Sequence, residues 1–356
     1  MANTPVMIVH QNTRPSVPGS SLTPDQGSGR TRKRAEGAKN LRYRIGYQNR
    51  KLTIATLNTR TLSKTQKLQK LEEELSHIKW DILGISEHKR TDEEQLTLHS
   101  GHLLHYKGGQ HINEGGVGFL IHKEHIQNVI KIHSISNRVM YLIYKLNTRY
   151  LLKMIQVYAP TSTHADAEVE VFYDDINTAI HQELTHYSML IGDFNAKLGH
   201  KEDETETPLG THGFGVRNER GQTLLEFLLQ HNLFVMNSFY RKAPLRKWTW
   251  VSPDCSTKNE IDFIISNRKE IVRDVTVLNK FSMGSDHRLV RSKISINIKN
   301  ERRKLIKQPT SSKWRPLRDE IQYQRRMESQ LAPMKNVLDP NIEDLNSLIT
   351  NSLKPQ

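Results

Sequence analysis

Residues 188–195 read Ser-Met-Leu-Ile-Gly-Asp-Phe-Asn, a short apolar run that ends in a carboxylate and an amide. An apolar run of this length beside a glycine is typical of a buried strand, which we predict over residues 189–191. Asp193 and Asn195 then follow the strand, at a sheet edge. Polar side chains at such an edge are available for chemistry as well as for turn formation.

The same arrangement recurs on both sides of this stretch. Apolar runs at residues 52–57, 81–86 and 152–157 each end at a polar side chain, in turn Asn58, Glu87 and Tyr158. Asp262 lies inside the apolar run 261–265, and the adjacent pair Asp286 and His287 precedes the run that starts at residue 289. If these edges lie together, they form a pocket of oxygen ligands with one histidine.

The pattern between these runs predicts an α/β fold. Leucines recur at three- and four-residue spacing over residues 68–78, and similar helical periods cover residues 165–184 and 221–230. Further strand-like runs occupy residues 116–121, 129–135, 139–146, 150–157, 233–236, 248–251, 272–278 and 289–296. Many strands with few helices favour two stacked sheets with helices packed outside.

Charge divides the chain into three parts. The 356 residues carry 52 Lys and Arg against 38 Asp and Glu, and nine of the basic residues against two acidic ones lie in residues 1–50. We predict a disordered basic segment over residues 1–48, a folded domain over 49–298 and a basic, weakly helical linker over 299–356. Basic flanks favour a polyanionic partner.

Several classes of protein are excluded by composition. No apolar run approaches the roughly 18 residues that span a bilayer, and the N-terminus lacks the pattern of a secretory signal. The single cysteine, Cys255, cannot form an internal disulfide. We therefore expect a protein that is neither membrane-spanning nor secreted, in the nucleus or the cytoplasm.

The pocket residues point to phosphate chemistry. Carboxylate and amide oxygens without Cys or paired His suit Mg²⁺, with Mn²⁺ as a substitute, better than zinc. A buried Asp bonded to a His supports the cationic imidazole, so Asp262 with His287 can hold a phosphate oxygen. A metal, a carboxylate base and a cationic donor together indicate phosphodiester hydrolysis.

Eight strings in the chain resemble the endonuclease/exonuclease/phosphatase superfamily, and within it the endonucleases of non-LTR (LINE) retrotransposons, most closely the RTE type. They occur in family order between about residues 51 and 296. The strings are TLNTR (56–60), GISEHK (84–89), QVYAPT (156–161), IGDFNAKLG (191–199), NERG (218–221), WTWVSPD (248–254), EIDFII (260–265) and GSDHRLV (284–290).

The resemblance implies a DNase I-like two-sheet α/β sandwich and a role for each matched residue. It implies a metal site at Glu87, with Asn58 and Asp286 nearby. It implies that Asp193 orients or deprotonates the attacking water, that Asn195 positions water or phosphate, that Tyr158 and His287 contact the phosphate and that Asp262 orients His287. DNA contacts are expected near Trp248, Thr249 and Trp250. Arg60 stands where apurinic relatives carry an acid, and we include it among the expected DNA contacts.

The function implied is a Mg²⁺-dependent DNA endonuclease that nicks one strand and leaves a 3′-hydroxyl, as in target-primed retrotransposition. No reverse transcriptase sequence is visible, so we expect a truncated or domesticated retroelement product, or the front piece of a longer polyprotein. The alternatives are a same-fold nuclease or phosphatase acting on abasic DNA, poly(A) RNA or inositol phosphates, and an inactive nucleic-acid-binding relic. DNA is the expected partner and RNA the alternative one.

Overall fold

A computed structural model describes residues 6–7, 50–111, 115–296 and 325 of the chain. The predicted boundaries of the folded domain, at residues 48/49 and 298/299, fall outside these residues and stay predictions. The chain divides into two units, residues 1–298 and 299–356, and only Arg325, a helical residue, is described in the second. No helix in the described part of the chain is long and apolar enough to cross a membrane.

The described strands and helices follow one another in an order rich in strands. The strands are β1 (Val6–Met7), β2 (Arg50–Asn58), β3 (Ile82–Ser86), β4 (Glu93–Thr97), β5 (Leu103–Lys107), β6 (Val117–Ile121), β7 (Val129–Ser134), β8 (Val139–Lys145), β9 (Leu151–Tyr158), β10 (Tyr187–Asp193), β11 (Phe234–Val235), β12 (Trp250–Val251), β13 (Lys258–Asn259), β14 (Asp262–Ser266), β15 (Val272–Leu278) and β16 (Leu289–Ile296). The α-helices are α1 (Thr65–Ser76), α2 (Asp166–His181) and α3 (Glu219–Gln230), and short 3₁₀ segments cover Lys123–Asn128, Met236–Phe239, Pro244–Arg246 and Lys269–Ile271.

Two seven-stranded mixed sheets contain most of these strands. The first has the order β1-β7-β8-β9-β10-β14-β11, and the second has the order β15-β16-β2-β3-β6-β5-β4. Each sheet contains one parallel pair, β9 with β10 and β2 with β3, and its other described pairs are antiparallel. β12 and β13 form a separate hairpin. Parallel pairs matter here because their strands end at the same sheet edge.

The core between the sheets is apolar. Ile54 and Ile82 of the second sheet pack in one cluster with Met154 and Ile191 of the first. Successive residues of a strand face opposite sides, so each neighbour of these side chains lies on the outer face of its sheet. Burial on both faces explains why the strands appear in the sequence as continuous apolar runs.

The helices cover the outer faces. Phe172 and Ile176 of α2 and Leu224 of α3 pack on the first sheet, and Leu71 and Leu75 of α1 pack on the second. The leucine spacing in α1 gives the apolar stripe that this contact requires. The layers therefore run helix, sheet, sheet, helix, and the predicted two-sheet sandwich with helices outside is confirmed.

Some local predictions differ from the structure. β4 and β5 were not expected. β4 is a mostly exposed edge strand, and its sequence Glu-Glu-Gln-Leu-Thr has no apolar alternation that would predict it. Of the predicted strand at 233–236 only Phe234–Val235 is extended, and a 3₁₀ turn starts at Met236. Pairing with β14 holds this short strand, since Val235 lies opposite Ile265.

Candidate active site

Asp193 lies at the junction of three strands of the first sheet. It is the last residue of β10 and pairs with Tyr158, the last residue of the parallel strand β9. On its other side it pairs with Asp262, the first residue of the antiparallel strand β14. The register therefore brings the three predicted polar residues of this sheet to one edge.

The second sheet contributes from the facing edge. Asn58 ends β2 and pairs with Ser86 at the end of the parallel strand β3. Glu87 follows with a φ of 53°, a left-handed backbone that turns the chain sharply after the strand. Left-handed conformations at non-glycine residues are held only where the surroundings stabilise them, and they concentrate at functional sites.

The loop before β16 is anchored to β2 at this edge. The Ser285 hydroxyl donates to the main-chain oxygen of Asn58 at 2.7 Å, and it accepts from the backbone N–H of His287 at 3.1 Å. Sequence reasoning did not single out Ser285, although it lies inside the string GSDHRLV. Its hydroxyl anchors the Asp286 and His287 segment beside β2.

The Asp193 carboxylate is buried and hydrogen-bonded on both oxygens. Asn58 Nδ2 donates to Oδ2 at 2.9 Å, and the backbone N–H of Asn195 donates to Oδ1 at 2.9 Å. The residue is only 1% exposed. Burial, with the nearby charge of Asp262, raises the pKa of Asp193 above its usual value despite the hydrogen bonds that oppose the shift. A carboxylate of raised pKa is suited to accept a proton near neutral pH.

His287 bridges the two aspartates. Its Nδ1 lies 2.9 Å from Oδ2 of Asp262, and its Nε2 lies 3.8 Å from Oδ2 of Asp193. Burial alone would lower the pKa of His287, but the Asp262 and Asp193 carboxylates outweigh it and raise the pKa to about 9. The imidazole is therefore a cation at neutral pH, with Nδ1–H donating to Asp262.

Tyr158 is flanked by a residue that sequence reasoning missed. The guanidinium of Arg138 lies 5.6 Å from the centre of the Tyr158 ring, and Tyr158 N–H donates to the Arg138 carbonyl oxygen at 2.9 Å. Burial, together with the negative charge of Glu87, raises the pKa of Tyr158, so the phenol keeps its proton. No local sequence pattern marks Arg138, because its position depends on the pairing of β8 with β9, in which Val139 lies opposite Val157.

The sequence and fold were compared with known proteins. The profile of the endonuclease-reverse transcriptase family matches residues 152–291, which include Tyr158, Asp193, Asp262 and His287. In this segment the chain is similar to the endonuclease/exonuclease/phosphatase superfamily. Enzymes of this superfamily are hydrolases that act on phosphodiester bonds.

Two curated relatives are similar in sequence, and one solved structure shares the fold. Craniofacial development protein 2 of Bos taurus is 33% identical over 251 residues, 69% of this chain and 41% of that protein. The Tragulus javanicus protein of the same name is 32% identical over 251 residues, 69% of this chain and 42% of that protein. The chain thus spans about two fifths of these relatives. The AP endonuclease LMAP of Leishmania major shares the fold, with a TM-score of 0.54 at 11% identity, over 69% of this chain and 88% of that one.

The domain has oxygen ligands that fit a divalent cation. Glu87 is part-exposed, and its Oε2 accepts from Asn58 Nδ2 at 3.0 Å while its Oε1 lies 3.0 Å from Lys89 Nζ. Asp286 is part-exposed as well, and its Oδ2 accepts from Trp250 Nε1 at 3.2 Å. Hard carboxylate oxygens with room for water match the preference of Mg²⁺. In this geometry Asn58 supports the site by holding both Glu87 and Asp193.

A different group has ligand atoms close enough together to hold a metal, namely Asp193, Asp262 and His287, whose ligand atoms lie within 4.8 Å of one another. The hydrogen bonds of this group argue for a different role. A histidine that donates Nδ1–H to Asp262 and carries a second proton has no lone pair for a cation. Glu87 and Asp286 therefore stay candidate metal ligands, and His287 is a candidate for proton and phosphate chemistry.

The residues predicted to contact DNA occupy different depths. Arg60 is exposed, and its backbone N–H donates to Asn58 Oδ1 at 2.8 Å. Thr249 is fully buried, and its hydroxyl accepts from the backbone N–H of Asp262 at 3.1 Å, so it has no exposed surface for a nucleic acid. Trp250 is half-buried beside Asp286, and Trp248 is 9% exposed. Thr249 therefore positions Asp262, while Arg60 and Trp250 remain accessible.

Proposed function

We propose that this domain is a divalent-metal-dependent DNA endonuclease that nicks one strand and leaves a 3′-hydroxyl. The observation that carries the proposal is the arrangement around Asp193. A buried, hydrogen-bonded carboxylate of raised pKa lies 3.8 Å from a cationic histidine. A proton acceptor and a positive charge therefore lie side by side, the combination that water attack on a phosphodiester requires.

Asp193 activates the attacking water. Its Oδ1 and Oδ2 are fixed by Asn195 N–H and Asn58 Nδ2, so the carboxylate is oriented before substrate binds. The Asn195 side chain is also fixed, because its Nδ2 donates to the Ala159 carbonyl oxygen at 2.8 Å, which leaves Oδ1 as an acceptor for water. Asp193 takes the proton as the water oxygen attacks phosphorus.

His287 and Tyr158 stabilise the negative charge that develops on the phosphate. The His287 Nε2–H donates to a phosphate oxygen, and Asp262 stabilises the imidazolium through Nδ1. Tyr158 donates its phenolic proton to a second oxygen. A divalent cation held by Glu87 and Asp286 would polarise the phosphate and stabilise the leaving oxygen.

The choice of DNA and of retrotransposon-type nicking rests on sequence. The RTE-type strings, the basic residues and the match to an endonuclease-reverse transcriptase profile support it. Hydrolysis by water attack that breaks the bond to the 3′-oxygen leaves a 3′-hydroxyl, which is the end that a polymerase can extend. Nuclear localisation follows from this proposal because the substrate is there.

Relaxation of supercoiled plasmid tests the proposal. We expect open circles with the wild type in Mg²⁺, none in EDTA, and a loss of at least about 100-fold in the Asp193→Ala variant. Asp174→Ala is the matched control, because Asp174 is an exposed residue of α2. Thermal unfolding of each variant shows whether it is folded.

Two outcomes would overturn the proposal. Wild-type activity in a folded Asp193→Ala variant would exclude the mechanism. No nicking by the wild type in Mg²⁺ or Mn²⁺ would exclude the substrate, and abasic DNA, poly(A) RNA and inositol phosphates assayed in parallel would then identify a same-fold hydrolase. Salt-sensitive binding without any cleavage would identify a binding relic.

A further inference from the structure

A buried asparagine that the proposed chemistry does not use lies against the start of β14. Asn237 belongs to the 3₁₀ segment Met236–Phe239 and is 4% exposed. Its Nδ2 donates to the main-chain oxygen of Asp262 at 3.1 Å, and its Oδ1 accepts from the backbone N–H of Ile264 at 2.9 Å. One side-chain amide therefore makes both kinds of hydrogen bond that a peptide group of a neighbouring strand would make.

The backbone of β11 ends too early to make these hydrogen bonds itself. β11 lies on the side of β14 away from β10, with Val235 opposite Ile265. The strand ends there, because a 3₁₀ turn starts at Met236. Peptide groups two residues apart in a strand face the same side, and buried ones need a partner. The Asn237 side chain supplies that partner and so continues the sheet as far as the candidate site.

A buried ion pair fixes the orientation of this amide. Asn237 Nδ2 also donates to Oε1 of Glu260 at 3.2 Å, and Lys247 Nζ lies 3.5 Å from the same oxygen. Lys247 Nζ donates in addition to the main-chain oxygen of Asn237 at 2.7 Å, and both charged residues are buried. A flipped amide would turn its oxygen towards two other oxygens, so the partners define which end is the nitrogen.

These contacts act on the residue that holds the candidate histidine. Asp262 is the first residue of β14, and its Oδ2 lies 2.9 Å from His287 Nδ1. Its main chain is held by β10, where it pairs with Asp193, and by the Thr249 hydroxyl, and Asn237 adds a third contact. A shift of the Asp262 main chain would move its carboxylate away from the imidazole. Groups that stabilise a transition state lose much of their effect when displaced by about 1 Å.

We propose that Asn237 is a positioning residue, which holds Asp262 against His287 through the main chain of β14. This inference rests on the proposed function and adds to it a buried group that does not touch the substrate. Asp262 and His287 keep their roles, and Asn237 keeps them within hydrogen-bonding distance. The residue type matters because an amide carries both a donor and an acceptor, whereas a carboxylate offers acceptors alone and a methyl group offers neither.

Proton NMR of the metal-free full chain reads the hydrogen bond between Asp262 and His287 without any activity. A buried imidazole N–H that donates to a carboxylate gives a resonance far downfield, and its absence in His287→Gln assigns it. We expect Asn237→Ala to shift this resonance upfield and to speed its exchange with water at least about tenfold. Asn267→Ala is the matched control. Asn267 follows the last residue of β14, and its Oδ1 accepts from the backbone N–H of Ser188 at 2.9 Å, the same kind of contact at the opposite end of the strand.

The kinetics of plasmid relaxation give a second readout. We expect Asn237→Ala to lower kcat about 10- to 100-fold with KM changed less than about threefold, because the imidazole is displaced while the groups that bind the substrate stay. Asn267→Ala should keep the kcat of the wild type. Asn237→Asp is a second variant of the same size, for use where thermal unfolding shows that Asn237→Ala is not folded. It keeps an acceptor for the Ile264 N–H but loses the donor to the Asp262 oxygen, so both readouts should change in the same direction.

The outcomes separate this proposal from the proposed function. If the wild type nicks DNA and the folded Asn237 variants keep the resonance and the kcat of Asn267→Ala, the positioning role is excluded and the endonuclease stands. If the wild type nicks nothing but the resonance changes in the Asn237 variants alone, the endonuclease is excluded and the positioning role stands. Equal changes in Asn267→Ala would exclude the role, because they would follow from lower stability. A wild type without the resonance, or a raised KM at unchanged kcat, would also contradict it.

Discussion

His287 and Asp262 form a buried pair in which the imidazole Nδ1 lies 2.9 Å from the carboxylate Oδ2. Asp262 Oδ1 has no hydrogen-bond partner in the described part of the chain, so His287 is the main group that stabilises the charge of this carboxylate. The pairing fixes the imidazole as a donor through Nε2. It therefore decides the role of the histidine at the candidate site.

Replacing Asp262 by Asn should lower the pKa of His287, because the carboxylate that outweighs burial is lost. We expect the NMR titration midpoint of His287 to move down from about 9 in the metal-free protein. Nicking should fall by about 10² to 10⁴, as when a histidine loses the group that orients it. An unchanged midpoint would contradict the assignment.

The same pair gives stability a defined pH dependence. The pKa of His287 is higher in the folded protein, about 9, than the ordinary 6.5 of an unfolded chain. Its contribution to the free energy of unfolding is therefore complete below pH 6.5 and is lost as pH rises through 9. Urea unfolding in EDTA between these values should show the loss in the wild type, and a weaker pH dependence in Asp262→Asn.

Replacing Glu87 by Gln should weaken the binding of a divalent cation, because one anionic oxygen of the proposed metal site becomes neutral. We expect the Mg²⁺ concentration for half-maximal nicking to rise at least about tenfold, and the Mg²⁺-dependent increase in Tm to shrink. Glu124→Gln, on an exposed 3₁₀ segment, should behave like the wild type. Equal Mg²⁺ responses in both variants would place the metal elsewhere.

Gly192 allows β10 to approach β9 immediately before Asp193. It has a φ of +143°, and a Cβ at this position would lie 2.1 Å from the Val157 carbonyl oxygen. Gly192→Ala should therefore lower the free energy of unfolding by about 3 kcal/mol or more and displace Asp193, with loss of nicking. Urea denaturation and plasmid relaxation measure the two effects.

Gly215 provides the control for that substitution. Its φ is +77°, but a Cβ would meet no heavy atom within 4 Å. Gly215→Ala should lower the free energy of unfolding by about 1 kcal/mol, from backbone strain alone, and leave nicking unchanged. If the two variants lose equal stability, close approach of the strands is not the reason for the glycine at 192.

Lys153 holds the end of α2 against the first sheet. The side chain is fully buried, and Nζ donates to the carbonyl oxygens of Ala179 at 2.7 Å, Ile180 at 3.0 Å and Gln182. Lys153→Met should lower the free energy of unfolding by about 2 to 4 kcal/mol, because these buried carbonyls lose their donor. Lys145→Met, at an exposed position of β8, should change stability by less than about 0.5 kcal/mol.

Much of the fold could be predicted because its strands and helices carry strong local patterns. The spacing of Leu68, Leu71 and Leu75 predicted α1, and continuous apolar runs predicted β2, β3, β9 and β14. β4 was not predicted from the sequence, because an edge strand with an exposed face needs no apolar alternation. Trp248 and Thr249 were expected to contact DNA, and aromatic strings alone do not distinguish an exposed face from a buried one.

Residue types and their order along the chain were enough to predict phosphate chemistry and the positions of Asn58 and Asp193 at strand ends, whereas Asp262 was predicted inside its apolar run and begins β14. Local sequence encodes both, because a strand must end where its apolar run ends. Tertiary structure alone decided which atoms meet. Side chains more than a hundred residues apart come within hydrogen-bonding distance through the register of β10 with β9 and β14 and through the Ser285 anchor to β2. In this buried cluster the pKa values of both Asp193 and His287 are raised, the first by burial and the second by the neighbouring carboxylates. The positions of Arg138 and Asn237 depend on the same long-range packing, which no local pattern encodes.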